Sequence, residues 1–182
     1  MQERIFCKSA VYFDFLSKNS LVDNKDLRAN ALIFNEFCES KDRDPYFKDM
    51  KLPFDQQISW LSDHIRDYML RDDNMYLEHI KNVDHRLIFH EQGEGSVMRN
   101  HLNYPDPKTS PDFVGMYIVH APKNDEMIFQ YDDQVKKNLL WHMPIEPKKF
   151  VCFHANVNYY FPVNQSKEKR IAILFRYKIE HP

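Results

Sequence analysis

"RNHLNYPDP" (residues 99–107) is the stretch on which the reading of this chain turns. It follows Gly93 and Gly95, two of only three glycines present, so the chain can bend just before it. Extended upstream as a strand, "VMRNHLN" (97–103) alternates. Val97, Arg99, His101 and Asn103 then share one face, and Met98, Asn100 and Leu102 the other. The first face is polar enough to line a cavity. The sequence therefore poses one question: is His101 half of a metal site, or a polar residue inside a barrel?

The surroundings favour a barrel. From about residue 74 onward, short runs rich in Val, Ile, Phe and Tyr are separated by polar or proline-containing breaks. Nine such runs are expected to be strands: "MYLEHIKNV", "HRLIFHEQ", "SVMRNHLNY", "DFVGMYIVHA", "EMIFQYD", "LLWHMPI", "FVCFHA", "NYYFPV" and "KRIAILFRYKI". Short connections between them predict an antiparallel sandwich or barrel rather than βαβ units. The first third reads as helical. "DNKDLRANALIFNEFCES" offers Asp23 or Asn24 as a cap, with Leu27, Ala31, Phe34 and Cys38 at helical spacing. In "DQQISWLSDHIRDYML", Ile58, Leu61, Ile65 and Met69 form one stripe behind Asp55. The expected organisation is a single domain over 1–182. A mostly helical segment, 1–73, packs outside a mainly β core, 74–182.

Composition narrows the function classes. The 182 residues carry a formal charge of −2, which gives no long-range attraction to nucleic acid or to an anionic membrane surface. No apolar run approaches the roughly 18 residues of a membrane-spanning helix, and "MQERIFCKSA" lacks a signal-peptide core. A cytoplasmic protein is expected, without nucleic-acid or membrane partners. Cys7, Cys38 and Cys152 lie far apart, which predicts reduced, mostly buried thiols. Three glycines are too few for a phosphate-cradling loop, and no nucleotide-binding motif occurs.

Gly95, five residues, His101, one residue, Asn103 outlines the first cupin motif. With "DFVGMYIVHAP" and the late segment "EPKKFVCFHANVNYYFPVNQSKEKRIAILFRY", residues 85–178 resemble the double-stranded β-helix of cupins, and more closely of 2-oxoglutarate/Fe(II) oxygenases. The resemblance implies a jelly-roll barrel and, if the protein is active, Fe(II) and 2-oxoglutarate as cofactors. It places His101 at the first metal ligand and Asn103 where the family has a carboxylate. Tyr159 falls at the distal histidine. Arg170 corresponds to the arginine that holds the far carboxylate of 2-oxoglutarate, and Ala172 stands where the family keeps a serine. An amide supplies no charge to a ferrous ion, and a phenolate does not fit a 2-His-1-carboxylate triad.

Other donors stay open on the residues alone. Asp106 substitutes for Asn103 if the "YPDP" turn folds back. His154, with Asn158, offers a second register that resembles the tail of the second cupin motif, and His142 can project beside His101 and His154 if alternate residues of neighbouring strands point inward. His85 and His90 face opposite ways on a regular strand. Guanidinium suits carboxylate recognition, which makes Arg170 and Arg99, together with Tyr159, the expected ligand-binding residues. The expectation is a cupin-like barrel without catalytic iron that binds a small ligand or serves as an interaction domain. The alternatives are an active iron oxygenase and a structural protein that forms homo-oligomers through its sheet edges.

Overall fold

The computed structural model describes residues 11–17, 21–38, 49–51, 56–72, 80–102, 105–132 and 135–179. Among the described residues, nine strands and two longer helices follow one another along the chain. They are β1 (Val11–Phe15), α1 (Asn24–Cys38), β2 (Asp49–Lys51), α2 (Gln56–Asp72), β3 (Ile80–His90), β4 (Phe113–His120), β5 (Glu126–Tyr131), β6 (Leu139–Pro144), β7 (Lys149–His154), β8 (Asn158–Tyr160) and β9 (Arg170–Ile179). The larger sheet has the order β1-β7-β4-β9-β3-β2, and the smaller has β6-β5-β8, with every pairing antiparallel.

Strand alternation divides the apolar residues between two cores. On β9, Ile171, Ile173, Phe175 and Tyr177 face the helices, while Ala172 and Leu174 face the smaller sheet. The helix-side core takes Leu27 and Ala31 from α1 and Ile58, Leu61 and Ile65 from α2, which are the stripes expected from the sequence. Gly115 on β4 makes this packing close. A Cβ there would lie 2.8 Å from the Tyr177 ring and 3.0 Å from Ile65. Asp23 caps α1 by accepting hydrogen bonds from the backbone N–H of Lys25 (2.8 Å) and Asp26 (3.4 Å). Asn24 then ties the helix to β4, donating to the Val119 carbonyl and accepting from the Tyr117 hydroxyl. The expected cap Asp55 and the side chains of Cys38 and Met69 lie outside what is described.

The second core lies between the two sheets. Met116, Val151, Phe153, Leu174 and Ile88 of the larger sheet meet Met127, Phe129, Met143 and Tyr159 of the smaller. This is the jelly-roll, double-stranded β-helix architecture, mainly β with the helices on the outside.

The structure differs from the sequence reading in three places. The first third is not only helical, because β1 pairs with β7 and β2 with β3, extending the larger sheet at both edges. The two runs expected around 75–92 supply one strand, β3, which stays paired to β9 across a bulge between Asn82 and Asp84. The run 96–104 is held by an isolated bridge between Arg99 and Tyr159 and is not a full strand. It nevertheless tracks β8: Ser96 donates to the Phe161 carbonyl, Arg99 and Tyr159 exchange two backbone bonds, and His101 donates to Ala155. Gly95 permits that approach. A Cβ there would sit 2.9 Å from the Phe161 carbonyl oxygen, whereas the left-handed turn belongs to Gly93, with φ of +87°. Among the described residues, no helix is long and apolar enough to cross a membrane.

Candidate functional site

Two polar clusters face the interior between the sheets, six residues apart along one face of β9. The first is built on Arg170, whose side chain is 1% exposed. Its guanidinium donates to both carboxylate oxygens of Asp125, through Nε at 2.6 Å and Nη2 at 2.5 Å. Nη1 donates to the Pro162 carbonyl at 2.9 Å and lies 3.1 Å from Nδ1 of His90. The Phe161 ring sits beneath, 5.1 Å from Cζ. The register His90↔Arg170 brings the imidazole alongside. Asp125 reaches in from the turn between β4 and β5, where Asn124 adopts a positive φ. Arg170 thus points inward, and an internal carboxylate takes up its paired donors.

The second cluster surrounds His101. Its Nε2 is hydrogen-bonded to the Tyr159 hydroxyl at 2.8 Å, and the two rings stack with centroids 5.7 Å apart. Tyr159 is fully buried among Phe129, Phe153 and Phe161. Arg99 lies over its ring, with Cζ 5.8 Å from the centroid. Facing them, Arg86 Nε and Arg176 Nη1 approach the same oxygen of Asp84, at 2.9 and 3.3 Å. The register explains this grouping. Asp84 pairs with Arg176 and Arg86 with Leu174, so all three charged side chains share the interior face. Burial, and after it the charges of Arg176, Arg99 and Arg86, together push the His101 pKa down to about 3 against the pull of Asp84. Asp84 itself is raised by burial, but hydrogen bonding and the charge of Arg86, with the charge of Arg176, outweigh this and hold its pKa below the ordinary value.

The remaining candidates do not join His101. His142 is on the outer face of the smaller sheet, because Phe129 pairs with Trp141 on the inner face and Ile128 with His142 on the other. It is half exposed and pairs with Glu126 at 3.1 Å. His154 is set against Phe113, on the helix side of the larger sheet, while its neighbour Phe153 points into the barrel. The set of His101, His142 and His154 is therefore not brought together. Asp106 is exposed, and its carboxylate accepts from the Lys108 N–H at 3.2 Å in the turn Pro107–Thr109 rather than reaching His101. Asn103 lies outside the described residues. His85 and His90 face opposite sides of β3, as alternation requires. Among the described residues no three His, Cys, Asp or Glu side chains converge as a metal-ligand group would.

A cavity of about 840 Å³ opens at the end of the smaller sheet, lined in part by Phe129, Trp141, Gln130, Asn138 and Asn158. The Phe129 and Trp141 rings stack 5.5 Å apart. Carboxamides link across the strands beside it: Gln130 donates to Asn138 (2.6 Å), Asn158 to Gln130 (3.5 Å) and Asn100 to Asn158 (3.0 Å). Residues absent from the sequence reading are Asp125, Asp84, Arg86 and Arg176. Alternation in "DHRLIFH" is the signal that could have found three of them, since it puts Asp84, Arg86, Ile88 and His90 on one face, and Arg176 pairs with Asp84. Asp125 had no such signal, since its partner lies 45 residues away.

No protein-family model and no curated protein matches the sequence. Solved structures match over nearly the whole chain. A Pseudomonas putida prolyl-4-hydroxylase is similar at a TM-score of 0.63 with 10% identity, covering 87% of this chain and 86% of that one. A non-heme alpha ketoglutarate dependent carbocyclase from nogalamycin biosynthesis gives 0.65 with 11% identity, over 93% and 79%. The viral collagen prolyl hydroxylase of Paramecium Bursaria Chlorella virus-1 gives 0.61 with 14% identity, over 93% and 90%. At these identities the likeness concerns the fold. The chain has the double-stranded β-helix fold of the 2-oxoglutarate/Fe(II) oxygenase structures.

Proposed function

We propose that this barrel works without catalytic iron, as a small-ligand-binding or interaction domain. One observation carries the reading: where a ferrous ion would need donors, Nε2 of His101 is bonded to a phenol, and the charges acting on it are mainly those of arginines. Three guanidinium groups repel a dication, and a neutral phenol beside one imidazole is a poor donor set for Fe(II). The described donors therefore do not fit the metal. At the other end, the guanidinium that the resemblance assigns to 2-oxoglutarate already holds the Asp125 carboxylate. The cavity beside Trp141 and Asn158 supports a binding role.

The reading includes a small-molecule ligand, no nucleic acid and no membrane. It keeps homo-oligomers through the edge strands β1 and β2 as a structural alternative, and a cytoplasmic location consistent with the buried free thiol of Cys152. The second reading is an active oxygenase, favoured by the fold likeness to an alpha ketoglutarate dependent carbocyclase. The test is incubation of the full chain with Fe(II), ascorbate, oxygen and 2-oxoglutarate, followed by succinate quantification. No succinate above the protein-free control is expected. Succinate formed in wild type and lost in His101→Ala would establish the oxygenase instead.

A further inference from the structure

We infer that the cavity at the end of the smaller sheet binds a neutral sugar, a mono- or disaccharide held by carboxamides and a tryptophan ring. The inference names the ligand class of the binding role proposed above, and it rests on that reading only in that the sugar is held rather than oxidised. The cavity forms where β5 ends and β6, β8 and β1 begin, and its lining includes Phe129, Gln130, Tyr131, Asn138, Trp141 and Asn158. Its volume of about 840 Å³ is that of a small-molecule site, about 300–1,000 Å³. Neither His101 nor Arg170 lines it.

The lining selects the ligand. Among the described residues around the cavity, Asp132 is the one carboxylate, and there is no lysine, arginine or histidine to answer an anion. Gln130, Asn138, Asn156 and Asn158 supply four neutral carboxamides. An apolar ligand would take water from these groups and return no hydrogen bonds. A hydroxyl donates and accepts, as a carboxamide does, so a ring bearing hydroxyls on all sides matches them. A peptide suits the place less, since extended chains bind along a strand edge and this cavity lies across strand ends.

The groups are also preset. Asn158 donates to Gln130 and Gln130 to Asn138, which fixes the amide planes and uses one of the two N–H groups that each donor carries. At the β5–β6 hairpin, Asp132 Oδ1 accepts the Asn138 N–H at 2.8 Å, and Asn138 holds a φ of 58°. The Trp141 indole stacks on Phe129 with 23° between the planes, and Phe13 lies 5.8 Å from it. A flat ring fixed in this way takes the C–H face of a sugar with little further loss of freedom.

The experiment is saturation-transfer NMR on the full chain, titrated with glucose, galactose, mannose, N-acetylglucosamine, maltose, cellobiose and lactose. Adenosine and an end-capped proline-rich peptide are run beside them. Saturable binding of at least one sugar is expected. Affinity for it should fall about tenfold in Trp141→Ala and about fivefold in Gln130→Ala and Asn156→Ala. His142→Gln, on the same sheet but outside the cavity, should match wild type. Asn156 is exposed, so its variant keeps the test valid should Trp141→Ala fail to fold. The site is overturned if no sugar binds, if the foldable variants bind as wild type does, or if adenosine or the peptide binds more tightly than every sugar. The succinate-formation assay separates the two claims. Turnover removes the iron-free reading and leaves this site standing, whereas no turnover together with no sugar binding removes the site alone.

Discussion

Arg170 and the group around His101 lie on one interior face of the same barrel, yet they solve the burial of positive charge in opposite ways. Arg170 is sealed, with a bidentate carboxylate, a carbonyl, an imidazole and an aromatic ring around one guanidinium. Near His101, Arg86 and Arg176 meet on one oxygen of Asp84, and both remain partly open to solvent. The first arrangement is complete and makes a structural strut. The second leaves Arg86 and Arg176 on one carboxylate oxygen, with a third and a quarter of their side chains exposed. Counting arginines in the barrel would not separate the two; the exposure of each does.

The largest effect should come from breaking the sealed end. Asp125→Ala leaves a buried guanidinium uncompensated and should cost about 3–5 kcal/mol of unfolding free energy, read by urea denaturation. A loss under about 1 kcal/mol would mean that solvent reaches Arg170, and the contrast between the two ends would vanish.

The next effect sharpens the open end through pH. His101 has a folded pKa of about 3 against an ordinary 6.5, so the unfolded chain binds a proton that the folded one refuses. Its contribution to stability is full above pH 6.5 and falls as pH drops from 6.5 toward 3. Between pH 6.5 and about 5 the loss from this group should be about 1.5–2 kcal/mol, and His101→Gln should remove that part of the slope. An identical slope in the variant would place the imidazole in water. The smallest effect belongs to Tyr159→Phe, which strips Nε2 of His101 of its partner and should cost about 1–2 kcal/mol by the same denaturation measurement. A neutral substitution would show that the contact does not hold the site.

Much of the barrel was readable because strand alternation is a local signal. The runs containing β4 to β9 were each visible in their Val, Ile, Phe and Tyr content, and both helices in their apolar stripes. β1 was not recognised, although "VYFDF" alternates. It is an edge strand with Phe13 and Phe15 half exposed, and it precedes a helix that dominates its neighbourhood. The shared face of His101 and Arg99 followed from period two, and the position of Tyr159 from the family resemblance; the bridge between Arg99 and Tyr159 brings them together even where the strand is incomplete. What decides the chemistry was not local. The Asp125 carboxylate meets Arg170 across 45 residues, and the meeting of Asp84 with Arg176 depends on a register set beyond a bulge. A turn such as "PKNDEM" reads as solvated until the sheet folds it over an arginine.

The most direct test of an iron-free barrel is an anaerobic calorimetric titration of the full chain with Fe(II), run beside His101→Ala. The account predicts no saturable one-to-one binding in wild type and superimposable traces for the two proteins. Stoichiometric binding in wild type that disappears with His101→Ala would contradict it.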